Sequence, residues 1–137
     1  MAGDTESGTI ELDADECWRL LADGEVGRLA VAVQGEPEIF PVNYAVDAHA
    51  IVFRTGEGTK LAAIAVSSPV AFEIDDFDTA SGKAWSVVAR GQATILEALD
   101  EVYRAAELPI FPWHRAPKPV FVRIVDPVVT GRRFSAW

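Results

Sequence analysis

The sequence predicts a mainly β domain of the α+β class, a small barrel of six antiparallel strands with two or three short helices. Three features of the 137-residue chain support this prediction. Runs rich in β-branched and aromatic residues alternate between apolar and polar positions, as strands with one buried face do. The connections between the first three runs are only a few residues long, so they fit hairpins and exclude the crossover helices of a parallel sheet. Helical periodicity is confined to short segments.

The first predicted element is a short amphipathic helix that begins after Asp13 and ends at Gly24. Asp13 can cap the helix, and Glu16 follows three residues later as in a capping box. Glycine is the residue that most often follows the end of a helix. The apolar face of this helix consists of Cys17, Leu20 and Leu21.

Three strands are predicted in the segment "GRLAVAVQGEPEIFPVNYAVDAHAIVFRT", residues 27 to 55. Leu29, Val31 and Val33 alternate with their neighbours, and "QGEP" and "VDAHA" supply the short connections. Pro41 lies inside the second run, and proline cannot donate a hydrogen bond to a sheet ladder. We therefore expect Pro41 at a sheet edge or at a bulge.

The second half of the chain is predicted to form two more helices and three more strands. "TKLAAIAVSS" is a helix that Thr59 can cap, "PVAFEID" is the fourth strand, and "KAWSVVARGQATIL" is a long fifth strand that bends at Gly91. "EALDEVYRAAEL" is an amphipathic helix, and "VFVRIVDPVV" is the last strand. The residues expected on the inward face of the last helix are Leu99, Val102 and Ala106.

Composition and charge exclude several classes of function. Twenty-one acidic and twelve basic residues give a net charge of −9, which would repel the phosphate backbone of a nucleic acid. We find no apolar run of membrane-spanning length and no signal-peptide pattern, so we expect a cytoplasmic protein without membrane contact. Residues 1 to 10 are predicted to form a flexible tail, and residues 11 to 137 a single domain.

Metal and nucleophile chemistry find little support in the sequence. One cysteine, Cys17, and two histidines, His49 and His114, cannot assemble a zinc site. No nucleophile elbow or serine triad is visible. The acidic residues near the fourth strand lack EF-hand spacing, so a solvated strand end is the preferred interpretation. These acidic residues are Glu73, Asp75, Asp76 and Asp78.

The stretch "FRTGEGTKL", residues 53 to 61, has the composition of an anion site. Arg54 ends a strand, Gly56 and Gly58 allow a tight turn, and Thr59 and Lys60 open a helix whose first N–H groups are free. A lysine in the first turn of a helix is unfavourable by about 0.3–1 kcal/mol unless a negative group lies nearby. These parts predict a phosphate site.

The same stretch has a simpler interpretation, in which Arg54 and Lys60 pair with Glu57 or another surface acid and the glycines only shape the turn. Two known phosphate motifs are excluded. Threonine precedes lysine, which is the reverse of a P-loop, and the glycine spacing does not fit a dinucleotide fingerprint.

Four segments, in this order and at these intervals, resemble the flavin-binding split barrels of the pyridoxamine 5'-phosphate oxidase-like family, in particular the branch related to nitroimidazole reductases. The segments are "PVNYAVD", "IVFRTGEGTKL", "VAFEIDDFD" and "WSVVARGQA". The resemblance covers residues 11 to 96 well, and the last strand with "GRRF" more loosely. It implies a six-stranded antiparallel split barrel that forms a homodimer, with FMN bound at the subunit interface.

The resemblance also implies which residues bind FMN. Trp85 and Ser86 would flank the ring or the ribityl chain, and Arg90 and Arg133 are candidates for contacts from the second subunit. The residues implied along the flavin ring, which would offer backbone groups to it, are Pro41, Val42, Asn43 and Tyr44. The residues implied at the phosphate are Arg54, Thr55, Thr59 and Lys60.

These residues also have structural explanations. Tyr44 and Trp85 can be core residues, Asn43 can satisfy a sheet edge, and Ser86 can lie on the surface. Trp113 and His114 either cover the open side of a bound flavin or belong to a surface loop held by a buried tryptophan. The residues that bind pyridoxine phosphate in the true oxidases are not recognisable here.

The first functional hypothesis is an FMN-dependent oxidoreductase that reduces a small electrophile, such as a quinone or a nitro compound, with a nicotinamide donor. It would explain why no catalytic acid or base stands out, because the flavin supplies the redox chemistry. The second hypothesis keeps the fold with a deazaflavin as the cofactor. The third is a non-catalytic dimeric module that carries flavin or haem, or no cofactor.

Overall fold

The computed structural model describes residues 8–56, 61–111 and 119–137. Within these ranges the chain forms nine strands and three helices, and none of the helices is long and apolar enough to cross a membrane. The strands are β1 Thr9–Leu12, β2 Val26–Val33, β3 Glu36–Val46, β4 Ala50–Gly56, β5 Val70–Asp78, β6 Lys83–Gly91, β7 Ala93–Ile95, β8 Pro119–Val125 and β9 Val128–Ser135, and the helices are α1 Ala14–Asp23, α2 Leu61–Ser67 and α3 Leu99–Ala106.

The strands form one curled antiparallel sheet in the order β1-β9-β6-β5-β2-β3-β4-β8-β7. β7 continues β6 after Gln92, and β9 continues β8 after Asp126 and Pro127. Each of these pairs is one long strand with a bend, so the barrel still consists of six long strands. The predicted antiparallel, mainly β fold is confirmed. The structure has nine strands where six are predicted, because two bends divide long strands and β1 adds a short one before α1.

The predicted bulge or bend at Gly91 is confirmed as a bend between β6 and β7, and a β-bulge lies on the neighbouring strand opposite it. Gly91 and Gln92 lie opposite three residues of the neighbouring strand, Val125 to Pro127. One extra residue on one strand bends that strand and increases its local twist. Asp126, within the bulge, has a φ of 46°. The two long strands pair with each other along their length. At one end they also pair with β5 and β1, and at the other end with β4.

Helix α1 forms as the sequence predicts. The backbone N–H of Glu16 donates to Oδ1 of Asp13, the N-cap residue, at 2.8 Å. At the other end the N–H of Gly24 donates to the carbonyl oxygen of Leu21 at 3.2 Å. The predicted apolar face is buried and belongs to the main core, and the helix packs against β3, β6 and β9.

The predicted inward face of α3 is wrong at two of its three residues. Leu99 is 70% exposed and Ala106 is exposed, whereas Val102 packs as predicted, beside the buried Ala105. The reason is that α3 lies on the outer side of the barrel, against a small apolar cluster of β3, β4 and β8 that is separate from the main core. Only one narrow side of the helix reaches these strands. The division of the chain into a tail and one domain stays a prediction.

Removal of the Tyr44 hydroxyl is expected to destabilise the fold slightly. The hydroxyl donates to the carbonyl oxygen of Leu21 at 2.6 Å, and burial raises its pKa well above the ordinary value, which keeps it protonated. In Tyr44→Phe that carbonyl oxygen still accepts the N–H of Gly24, so we expect a loss of about 1 kcal/mol in the free energy of unfolding. Urea denaturation measures this difference, and unchanged stability would contradict the assigned hydrogen bond.

Candidate functional site

Asn43 and Arg54 lie side by side on the outer face of the barrel. Tyr44 of β3 pairs with Phe53 of β4, and both side chains are buried in the barrel core. Successive side chains of a strand point to opposite faces. Asn43 and Arg54, which adjoin this pair, therefore point outward from neighbouring strands. The structure thus brings together one residue predicted at the ring and one predicted at the phosphate.

Two nitrogen groups at this corner, Nδ2 of Asn43 and the guanidinium of Arg54, have no hydrogen-bond or salt-bridge partner, respectively, in the part of the chain that the structure describes. Nδ2 of Asn43 is buried and has no hydrogen-bond partner there. The guanidinium of Arg54, which is partly buried, makes no salt bridge with a described carboxylate. An unpaired buried donor costs about 1–3 kcal/mol. This corner of the barrel is therefore suited to a ligand with a hydrogen-bond acceptor and a negative charge.

Beside Asn43, the outer edge of β3 has no partner strand among the residues that the structure describes. Within the described residues, β4 pairs with β3 only over Tyr44–Val46, whereas β2 pairs with the earlier part of β3. The N–H of Tyr44 donates to the carbonyl oxygen of Glu25, on the β2 side, at 3.0 Å. Alternation along the strand then directs the backbone of Pro41 to the open edge. The predicted edge position of Pro41 agrees with this pairing, and no described strand pairs with Pro41 on that side.

Three other predicted ligand residues, Val42, Tyr44 and Thr55, have their side chains inside the barrel. Thr55 is 8% exposed, and its Oγ1 donates to the carbonyl oxygen of Gly56 at 3.4 Å. The side chains of Val42 and Tyr44 belong to the main core. Ring contacts through their backbone groups, and a phosphate contact of Thr55, stay predictions.

Several residues of the hypotheses lie outside the described ranges, so the structure gives no position for them. Lys60, a predicted phosphate ligand, and Glu57, the acid that pairs with Arg54 in the simpler interpretation, are among them. The phosphate role of Thr59 and the covering role of Trp113 and His114 also stay predictions.

Trp85 and Ser86 are neighbours on β6 and point to opposite faces of the sheet. Trp85 packs against the main core and lines an open pocket of about 160 Å³ together with Arg133. Ser86 shares the outer face with Asn43, but β2 and β5 lie between their strands. At about 4.8 Å per strand spacing, roughly 14 Å separates the two strands. Within one chain, Ser86 therefore lies on the same outer face as Asn43, and Trp85 lies on the inner face.

Arg90 and Arg133, the candidates for cofactor contacts from the second subunit, have partners within their own chain. Arg133 donates to Oε1 of Glu16 at 3.0 Å, and Arg90 donates to Oγ1 of Thr130 at 3.1 Å. Glu16 also accepts hydrogen bonds from Arg19. Arg19 and, after it, Arg133 lower the pKa of the Glu16 carboxyl to about 2. The roles of Arg90 and Arg133 in ligand binding stay predictions.

A charged cluster of Arg28, Glu73 and Asp75 also occupies the outer face, and sequence reasoning did not single it out. Nη1 of Arg28 lies 3.1 Å from Oε1 of Glu73 and 3.4 Å from Oδ2 of Asp75. Burial, and next the neighbouring Asp75, raise the pKa of Glu73, which outweighs the opposite effect of Arg28. The spacing of two residues along a strand places both carboxylates on one face, and this signal was present in the sequence.

The other two acids near the end of β5, Asp76 and Asp78, accept hydrogen bonds from backbone N–H groups. Oδ1 of Asp76 accepts the N–H of Phe77 at 2.8 Å, and Oδ1 of Asp78 accepts the N–H of Ala80 at 3.0 Å. Among the residues that the structure describes, no three potential metal ligands come together. The four acids are thus divided between an arginine on one face and backbone amides on the other.

Sequence comparison finds relatives over most of the chain. The family described as "Pyridoxamine 5'-phosphate oxidase" matches residues 13 to 133. Among curated proteins, the uncharacterized protein Rv0080 of Mycobacterium tuberculosis is 36% identical over 132 residues, which cover 93% of this chain and 86% of the relative.

Structure comparison finds the same barrel in proteins of similar length. The FAD binding protein from Mycobacterium smegmatis has a TM-score of 0.83 and 37% sequence identity, over 93% of this chain and 99% of that chain. An FAD-binding protein from Mesorhizobium loti has a TM-score of 0.80 and 26% identity, over 93% of this chain and 97% of that chain. The similarity in fold therefore extends over nearly the whole length of all three chains.

Proposed function

Since the chain belongs to the pyridoxamine 5'-phosphate oxidase family, we propose that it is a flavin-dependent oxidoreductase that reduces a small electrophile of the quinone or nitro class with electrons from a nicotinamide donor. The observation that carries the proposal is the buried, unpartnered Nδ2 of Asn43 beside Arg54. A bound flavin supplies transfer of hydride or single electrons. The chain itself must then bind the cofactor, orient it and exclude water from one of its sides.

The residues at this corner fit the two chemically different ends of a flavin nucleotide. Arg54 offers a partly buried cation to the phosphate, because guanidinium groups pair well with phosphate oxygens. Thr55, Thr59 and Lys60 would complete the phosphate site, as the sequence predicts. The amide of Asn43 would donate to an acceptor on the ring, which would remove the cost of its unpaired N–H. The ring would also meet backbone groups of the β3 segment from Pro41 to Tyr44.

A homodimer with the cofactor at its interface would bring Trp85 and Ser86 of one copy close to Asn43 and Arg54 of the other, residues that lie apart within one chain. Several apolar side chains lie on the outer barrel face, including Val26 at 47%, Ile39 at 65% and Val128 at 68% exposed. A second copy that covers this face would bury them, which favours association. Trp85 and Ser86 of the second copy would then be able to approach the cofactor held by Asn43 and Arg54.

The identity of the flavin has two candidates. FMN is the cofactor that the resemblance in sequence implies. FAD is favoured by the two structural relatives that are described as FAD-binding proteins. Both contain the ring and the phosphate nearest to it, so the roles of Asn43 and Arg54 are the same in either case.

Titration calorimetry with FMN, FAD and riboflavin on flavin-free protein tests this proposal. We expect FMN or FAD to bind at least about tenfold more tightly than riboflavin, since charge-assisted hydrogen bonds to the phosphate contribute roughly 1.5–3 kcal/mol. The tighter of the two nucleotides identifies the cofactor. Equal affinity for riboflavin would contradict the phosphate site, and binding of a deazaflavin with no binding of the flavins would support the alternative cofactor.

A further inference from the structure

The buried amide donor of Asn43 adjoins a cation on the outer face of the barrel. Val26 of β2 pairs with Asn43 on one side. On the other side lies Arg54 of β4, with about 5 Å between the Cα atoms, as for facing residues of neighbouring antiparallel strands. Pro41 and Ala45 are the next outward residues along β3. None of these four neighbours carries a negative charge.

The acidic side chains of the described chain do not change this picture. The nearest carboxylates on the same outer face, Glu73 and Asp75, lie on β5, two strands and roughly 10 Å from β3. Nη1 of Arg28, at 3.1 Å and 3.4 Å from them, offsets their charge. Glu25, which precedes β2, has an exposed side chain, and salt and water screen an exposed charge. The charge that adjoins Asn43 on this face is therefore positive.

We propose that Asn43, together with Arg54, makes the site bind the reduced flavin more tightly than the oxidised flavin, an inference that rests on the flavin function proposed above. In the reduction, a hydride leaves the nicotinamide ring, which becomes a cation, and joins the flavin ring, which becomes an anion. A hydrogen bond to an ionised acceptor is roughly twice as strong as one to a neutral acceptor. The donor of Asn43 and the cation of Arg54 therefore stabilise the reduced form more than the oxidised form.

The position of Asn43 beside Arg54 determines which edge of the ring accepts its hydrogen bond. The chain that carries the phosphate is attached at N10, so N1 and O2 lie on the side of the ring nearest the phosphate, and N5 lies on the opposite side. A phosphate at Arg54 brings the edge of N1 and O2 toward Asn43. Reduction adds negative charge to this edge, whereas it turns N5 into an N–H donor. A contact of Nδ2 with N5 would therefore favour the oxidised form, and the sign of the effect distinguishes the two edges.

The experiment measures the reduction potential of the bound flavin against a reference dye, with FMN or FAD as the calorimetric titration selects. We expect the wild-type protein to bind the reduced flavin about tenfold more tightly than the oxidised flavin, which raises the potential by about 30 mV above that of the free flavin. Asn43→Leu keeps a side chain of similar size without the donor, so it should remove most of this difference. Gln92→Leu, which removes an exposed amide at the bend between β6 and β7, is the matched control and should leave the potential unchanged.

The stability of the flavin-free protein supplies a second readout. Nδ2 of Asn43 has no hydrogen-bond partner in the part of the chain that the structure describes. Its removal therefore breaks no hydrogen bond of the fold, and an unpaired buried donor is unfavourable. The urea midpoint of flavin-free Asn43→Leu should be equal to or above that of the wild type. A lower midpoint together with an unchanged potential would assign Asn43 to the fold and overturn the proposal.

The outcomes separate this proposal from the flavin function. A wild-type potential equal to or below that of the free flavin would overturn the preference for the reduced form and leave flavin binding intact. A raised potential that stays the same in Asn43→Leu would overturn the role of Asn43. A protein that binds no flavin would overturn the flavin function and this proposal together.

Discussion

Replacement of Gly27 by alanine is expected to lower the free energy of unfolding by about 3 kcal/mol, the upper end of the usual cost of overpacking a core. A Cβ atom at Gly27 would lie 2.1 Å from Cζ of Phe72. The Phe72 ring is fully buried and packs edge-on against the Tyr44 ring, with 4.8 Å between the ring centroids. It therefore has no room to move away. A loss of this size is a large part of the total stability of a small domain, roughly 5–15 kcal/mol.

A double-mutant cycle shows whether the contact with Phe72 causes this loss. Phe72→Leu removes the far end of the ring, so the alanine at position 27 then has space. We expect Gly27→Ala to cost less than about 1 kcal/mol in the Phe72→Leu background, since neighbours that share a contact are not additive. Urea denaturation of the four proteins gives the coupling free energy. The same penalty in both backgrounds would mean that the glycine is needed for another reason.

Replacement of Arg54 by glutamine is expected to weaken binding of FMN or FAD by about 10- to 100-fold, because a charge-assisted hydrogen bond contributes roughly 1.5–3 kcal/mol. The guanidinium is partly buried and makes no salt bridge with a described carboxylate. A phosphate would therefore be its principal partner. Riboflavin lacks that phosphate, so its affinity should not change. Calorimetric titration of the variant with the nucleotide and with riboflavin measures both affinities.

Arg19→Gln is the matched control for Arg54. Arg19 is an exposed arginine of α1 whose partners are Glu16 and Asp23, far in sequence from the predicted phosphate segment. Its loss should leave the affinity for both ligands unchanged. If Arg54→Gln binds FMN and FAD as the wild type does, Arg54 is not a phosphate ligand. If the affinity for riboflavin falls equally, the arginine supports the shape of the site rather than the phosphate.

The local elements of the fold were predictable because their signals lie within a few residues of one another. The cap of α1 at Asp13 depends on a residue three positions away, and the structure has that hydrogen bond. The hairpins β2–β3 and β3–β4 follow from alternation and short connections. The strand count differs from six because the bend at Gly91 and the bulge opposite it divide two long strands, and such an irregularity looks the same in sequence whether a strand continues or divides. The face of α3 was wrong because its partner strands lie far away in the sequence.

The sequence by itself determined the antiparallel barrel, the cap of α1, the edge position of Pro41 and the family resemblance. Each of these depends on residue type and on spacing along one segment. Only the tertiary structure decided that Asn43 lies beside Arg54, that Ser86 shares their face at a distance of three strands from Asn43, and that Arg28 bridges Glu73 and Asp75. Arg28 and Glu73 are 45 positions apart. Such contacts follow from the register between strands. A shift of one residue in that register would move every side chain of a strand to the opposite face of the sheet.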